Sequence, residues 1–113
     1  MSPSYVDIGV NLGHRRFDRD REAVVDRAVA AGVTRMLLTG TDIVESMAMA
    51  TLASTMPGVL WSTAGVHPHA ASSCDEDTLP TLRRLSEAEA VVAIGECGLD
   101  FNRDFSPRDV QET

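Results

Sequence analysis

The tract "VVAIGECGLDFNRD", residues 91–104, governs the reading of the whole chain. It opens as an unbroken aliphatic run and closes on Glu96, a carboxylate set between Gly95 and Cys97. Three other tracts share its character: "YVDIGV" at 5–10, "TRMLLTG" at 34–40 and "GVLWSTAG" at 58–65. Short, partly β-branched, near-continuous apolar runs are the pattern of strands covered on both faces.

Helical periodicity fills the gaps between these tracts. Val25, Ala28, Val29 and Gly32 share one face of a first helix, with Asp18 or Asp20 as its N-cap. Asp42 followed by Glu45 predicts a capping box for a second helix, with Val44, Met47, Ala48, Leu52 and Met56 as its buried stripe and Pro57-Gly58 as its stop. Leu79, Leu82 and Leu85 mark a third, in which Pro80 is tolerated because it falls in the first turn. The order is therefore β-α-β-α-β-α-β, which predicts parallel strands joined by right-handed crossovers.

Such an order suits a small doubly wound sheet or the start of a (β/α)8 barrel. The last residues, "FSPRDVQET", begin like a helix with Ser106 as N-cap and Pro107 at its first position, then run out after about two turns. The expectation is an α/β chain forming the N-terminal part, about four βα units, of a (β/α)8 TIM barrel, with residues 1–113 as one incomplete barrel domain.

Composition narrows the function. A hydrophobic content of 43% fits a globular chain, and a net charge of −7 gives no general attraction to nucleic acid. A phosphate-bearing substrate would need a local cation, such as a bound metal. Cys74 and Cys97 form no disulfide framework and read as reduced thiols, Cys97 as a small buried filler. Residues 1–12 lack the pattern of a signal peptide, and no apolar run nears the roughly 20 residues of a membrane span. A cytoplasmic protein without a membrane partner is expected.

Both candidate architectures place chemistry at the carboxyl ends of their strands. Those ends carry Asn11, Thr39–Thr41, the pair His67 and His69, and Glu96. A carboxylate at the mouth of a buried strand is costly unless hydrogen-bonded, paired or metal-bound. From this residue alone, a structural glutamate accepting loop N–H bonds reads equally well. His67 and His69 bracket Pro68, whose fixed φ stiffens the backbone carrying both imidazoles. They are candidates for metal binding or proton transfer. Asp7 is an unusual strand residue that hints at a site; His14, beside Arg15 and Arg16, reads as solvated loop, while Trp61 and the second helix's methionines read as core.

Taken together, "DIGVNL", "STAGVHPH" and "VVAIGECGLDFNRDFS" resemble the first half of the TatD family of metal-dependent deoxyribonucleases. The resemblance implies a (β/α)8 barrel in which Glu96 is a metal ligand and His67 and His69 lie at the catalytic site. It implies a divalent ion, Mg²⁺ first with Mn²⁺ or Zn²⁺ as other candidates, and DNA as a substrate trimmed from its 3′ end. Many members start with Asp-x-His-x-His; here Gly9 and Asn11 take the histidine places, in the manner of the TatD branch. The family's further ligands, two histidines and an aspartate, have no counterpart in this chain. A missing C-terminal half or partner chain would be needed to complete the barrel, and little activity is expected without it. A metal-dependent ester or amide hydrolase acting on aminoacyl-tRNA, or a non-catalytic fragment, are the competing readings.

Overall fold

The computed structural model describes residues 2–113. Strands β1 (Tyr5–Val10), β2 (Val33–Leu38), β3 (Leu60–Ala64) and β4 (Val91–Ile94) form one sheet in the order β1-β2-β3-β4. Every neighbouring pair is parallel. Helices α1 (Arg21–Ala30), α2 (Ile43–Ser54) and α3 (Thr78–Ser86) make the crossovers, and the short α4 (Arg108–Glu112) follows β4. A doubly wound sheet reverses its strand order at a switch point. A strictly sequential order with right-handed crossovers instead keeps the helices on one side, which is the repeat of a barrel wall. Strand order therefore separates the two candidate architectures in favour of the barrel.

The core is a cluster of Leu12, Val25, Met36, Leu38, Met49, Ala53 and Leu60. Helix α1 contributes Val25, with Val24 and Ala28 packed against the cluster, while Val29 is exposed. Asp20 occupies the N-cap position without a side-chain cap bond, and Asp18 pairs with Arg21 at 2.7 Å.

Helix α2 departs from the expected stripe. Val44 and Met47 are 78% and 51% exposed and Ala48 is also exposed, whereas Ser46, Met49 and Ala53 are buried, flanked by Leu52 and Met56. Its sequence, IVESMAMATLAS, is apolar or small on nearly every side, so periodicity could not select a face. Contact with the sheet selected the one bearing Ser46. The capping box is half formed: Asp42 Oδ1 accepts from the Glu45 N–H at 2.7 Å, but the Glu45 carboxylate takes the Thr41 hydroxyl.

Other expectations shift for similar reasons. Leu79 is exposed and Thr78 is buried at the start of α3, although Pro80 does sit in its first turn. Pro107, not Ser106, is the N-cap of α4, because the buried Ser106 hydroxyl bonds elsewhere. Cys97 is exposed rather than a buried filler, and Trp61 is only half-buried. Full cover holds best for the inner strand β3. The outer strands expose Tyr5, Val6 and Ile8 on β1 and Val92 and Ile94 on β4, since each has a neighbour on one side only. Among the described residues no helix is long and apolar enough to cross a membrane.

At the carboxyl ends the sheet is drawn tight. A Cβ on Gly65 would lie 2.4 Å from the Glu96 carbonyl oxygen, so β3 and β4 meet there backbone to backbone. Ser46 Oγ, fully buried, donates to the Gly65 carbonyl and accepts from the Gly65 N–H, both at 3.1 Å. Gly65→Ala would force this contact apart, and a cost of about 1–3 kcal/mol is expected. Urea unfolding should report that loss, and the backbone amide resonance of Glu96 should move; an unchanged Glu96 amide would contradict the close approach.

Candidate active site

Two loops carry the polar groups. After β3 the backbone of His67 is pinned by its N–H, which donates to the Thr41 carbonyl at 2.7 Å. His67 then caps the 3-10 segment Pro68–Ser73, its Nδ1 accepting from the His69 N–H at 3.0 Å. The His-Pro-His sequence folds this way because Pro68 needs no donor partner at the first position of a turn. After β4 the chain passes through Gly95 and reaches Glu96, then turns at Gly98, whose φ of 101° suits glycine.

Glu96 and His67 face each other, with Glu96 Oε2 3.9 Å from His67 Nε2. That separation is too long for a hydrogen bond and leaves the carboxylate free to bind something else. Glu96 is 38% exposed at its side chain, so burial costs it less than a buried strand mouth would suggest. The reason is the open outer strand β4, most of whose residues are exposed. Because Nδ1 of His67 is an acceptor, the neutral ring carries its proton on Nε2, the nitrogen turned toward Glu96.

His69 stands beside His67, their ring centroids 4.2 Å apart, with the Phe105 ring edge-on to His69 at 4.7 Å. Its Nε2 lies 2.7 Å from Oδ2 of Asp100. An ionised carboxylate can only accept, so the imidazole donates through Nε2 and the neutral ring keeps Nδ1 unprotonated. The hydrogen bond from His69, followed by those from the Asn102 and Arg103 backbone N–H groups, holds the Asp100 carboxyl below the usual aspartate range. The loop beyond is braced by Arg108, which pairs with Asp104 at 3.2 Å, donates to the Phe101 carbonyl and stacks over the Phe101 ring. Asp104 has φ 51°, a left-handed conformation that this pairing secures.

The structure thus places His67, His69 and Glu96 near one another and sets Asp100 beside them. The "GLD" aspartate stood in the quoted motif, and its place just past a strand end was the available signal. Among the described residues, no hydrogen bond or ion pair links the Asp7 or Asn11 side chains to this group. At Gly9 the β1–β2 register shifts and φ reaches 87°. A side chain there would be strained, so this strand conformation suits glycine. His14 is exposed loop, as read from sequence, its Nδ1 accepting from the Arg16 N–H. Among the described residues no three His, Cys, Asp or Glu side chains enclose a possible metal position.

Sequential parallel strands with histidines and a carboxylate gathered past the ends of β3 and β4 define the chain as a segment of a barrel wall with polar groups at its rim. The family model "TatD related DNase" matches residues 6–113, and the chain belongs to that family. It is 61% identical over 106 residues to a 3'-5' ssDNA/RNA exonuclease TatD of Pantoea sp. (strain At-9b), covering 94% of this chain and 41% of the relative. The exonuclease of the same name from Erwinia billingiae (strain Eb661) is 55% identical over 105 residues, covering 93% of this chain and 40% of the relative. Among solved structures, a TatD family hydrolase from Entamoeba histolytica superimposes with a TM-score of 0.80 at 28% identity, covering 99% of this chain and 43% of that one. A TatD homologue from Escherichia coli K12 gives 0.80 at 26% identity, covering 96% of this chain and 42% of that one. The chain spans about two-fifths of the length of the curated relatives it matches, 41% for the Pantoea protein.

The lowered Asp100 pKa has a consequence for stability. A carboxyl depressed in the folded state adds stability at pH values above its unfolded pKa, and this contribution is lost as pH falls through the folded pKa. In acid unfolding below about pH 5, Asp100→Asn should therefore show a shallower loss of stability than the wild type. Parallel slopes for the two proteins would contradict the assignment.

Proposed function

We propose that the chain supplies the first four βα units of a metal-dependent phosphodiesterase, a 3′-5′ exonuclease acting on single-stranded DNA. Residues 1–113 would form one part of the barrel domain, with the remaining units supplied by further chain or by a partner. The observation that carries this reading is the convergence of Glu96, His67 and His69 at adjacent strand ends in a TatD-family chain. The relatives' name adds single-stranded nucleic acid as the substrate class.

The donor chemistry fits a divalent ion in part. Glu96 is a half-exposed carboxylate whose side chain has no hydrogen-bond partner among the described residues, suited to an oxygen-preferring ion such as Mg²⁺, with Mn²⁺ or Zn²⁺ as other candidates. It would be one ligand, and the rest would come from outside the described residues. A bound ion would supply Lewis acidity and a more acidic water. The chain's own residues have separate tasks. Glu96 anchors the ion, and His67 offers an Nε2–H donor toward a phosphoryl oxygen beside it. His69, with Nε2 engaged by Asp100, keeps Nδ1 as the nitrogen able to take a proton. A local cation would also reconcile a nucleic-acid substrate with a chain of net charge −7. Cytoplasmic location is part of this reading.

Two measurements test it. Mn²⁺ added to the isolated chain should broaden resonances around Glu96 and His67, and Glu96→Gln should abolish the effect. Joined to the remaining segment of the Pantoea relative, the chain should release nucleotides from the 3′ end of single-stranded DNA with Mg²⁺, whereas alone it should release few. In the joined protein Glu96→Gln should lower the rate on the order of a hundredfold or more. Equal rates for the two would refute the ligand assignment, and release of amino acid from aminoacyl-tRNA without nucleotide release would replace the nuclease reading.

A further inference from the structure

The His69–Asp100 bond is one side of a closed ring of hydrogen bonds. Asp100 donates its backbone N–H to Gln111 Oε1 at 2.8 Å, and Gln111 Nε2 donates back to the Asp100 carbonyl at 3.2 Å. The same Nε2 donates to the Ser106 carbonyl at 2.7 Å. Ser106 Oγ, fully buried, donates to the His69 carbonyl at 2.9 Å and accepts from the Ser72 N–H at 3.1 Å. The ring therefore runs His69, Asp100, Gln111, Ser106 and back to His69. It ties the loop after β3 to the loop after β4, and α4 is the brace.

We propose that Asp100 is a positioning residue for His69, fixing which nitrogen and which edge the imidazole presents, with Gln111 and Ser106 holding the two ends of that bond in place. This rests on the assignment of His69 to the reaction. Three features support it. An imidazole swings about two side-chain torsions, so a single loop position does not orient it; a 2.7 Å bond to a carboxylate does. Asp100 is itself pinned at both backbone polar groups by one Gln side chain, an arrangement that a solvated loop aspartate does not need. Helix α4 has five residues, too few to persist by its own propensity, and Gln111 gives it a reason to be ordered against this loop. A carboxylate that sets the tautomer of a neighbouring imidazole is a recurrent device of proton-transferring sites.

The test uses the 113-residue chain without metal or nucleic acid, so it does not depend on the nuclease reading. With ¹⁵N-labelled histidine, the His69 Nε2–H should give a proton resonance downfield of the amide envelope and slow to exchange with solvent. Asp100→Asn should move that resonance upfield and speed its exchange about tenfold or more, as a neutral bond replaces a charge-assisted one. Asp100→Glu should keep a downfield signal, because the carboxylate is retained. Gln111→Ala leaves Asp100 in place and should broaden the signal and speed exchange by a smaller factor, while His14, outside the ring, stays unchanged in all variants. Loss of the His14 reference or of dispersed amides would mark unfolding, and Gln111→Ala then carries the test, since it alters only the brace. An unprotected His69 Nε2–H in the wild type, or one insensitive to Asp100→Asn, overturns the positioning role. Failure of the joined protein to cut DNA would overturn the nuclease reading while the orientation of His69 by Asp100, read from its Nε2–H, would stand on its own.

Discussion

The site depends on one close contact, the meeting of β3 and β4 backbones at Gly65 and Glu96. Their separation leaves no space for a side chain, which makes glycine obligatory at 65 and sets how near the two polar loops can come. Ser46 secures the contact from the helix side. Its buried hydroxyl satisfies both polar groups of the Gly65 peptide, groups that would otherwise be costly to bury. Gly40 belongs to the same packing, since a Cβ there would meet the Ser46 hydroxyl at 2.3 Å. A strip of small residues, Gly40, Ser46 and Gly65, thus packs closely at the base of the loops that carry the polar groups.

Above that strip the two histidines are placed in different electrical situations by different partners. His67 has its Nδ1 occupied by a backbone N–H and turns Nε2 toward a carboxylate it does not quite reach. His69 has its Nε2 bound to a carboxylate and leaves Nδ1 available. Two residues separated by one proline are thereby given opposite free nitrogens. The division follows from local hydrogen bonding, so it exists before any ion or substrate arrives.

The elements themselves were legible because their signals are local. Four aliphatic tracts fell where β1 to β4 lie, Pro80 sat in a first turn, and Asp42 capped α2 through the Glu45 N–H. The identity of the polar loops was legible too, since His67, His69 and Glu96 each follow a strand. What failed were statements about faces. The side of α2 that packs carries Ser46 rather than Val44 and Met47, because an all-round apolar helix can turn any face inward. Cover on both sides is not met for β1 and β4 within the described residues, where each has a strand neighbour on one side only. Asp100, Ser106 and Gln111 were readable as letters, but the bonds that join them and His69 in a ring span between 5 and 37 positions of the chain.

Sequence by itself determined the alternation of strands and helices, the family of the chain, and which residues stand at strand ends. These follow from patterns within a few residues of one another, where propensity, capping and spacing act. Only the tertiary structure decided that the strands run in sequential order, that Gly9 sits at a register shift with positive φ, and that Asp100 bonds His69. Those outcomes depend on distances across the sheet and between loops, which packing sets and which no local periodicity encodes.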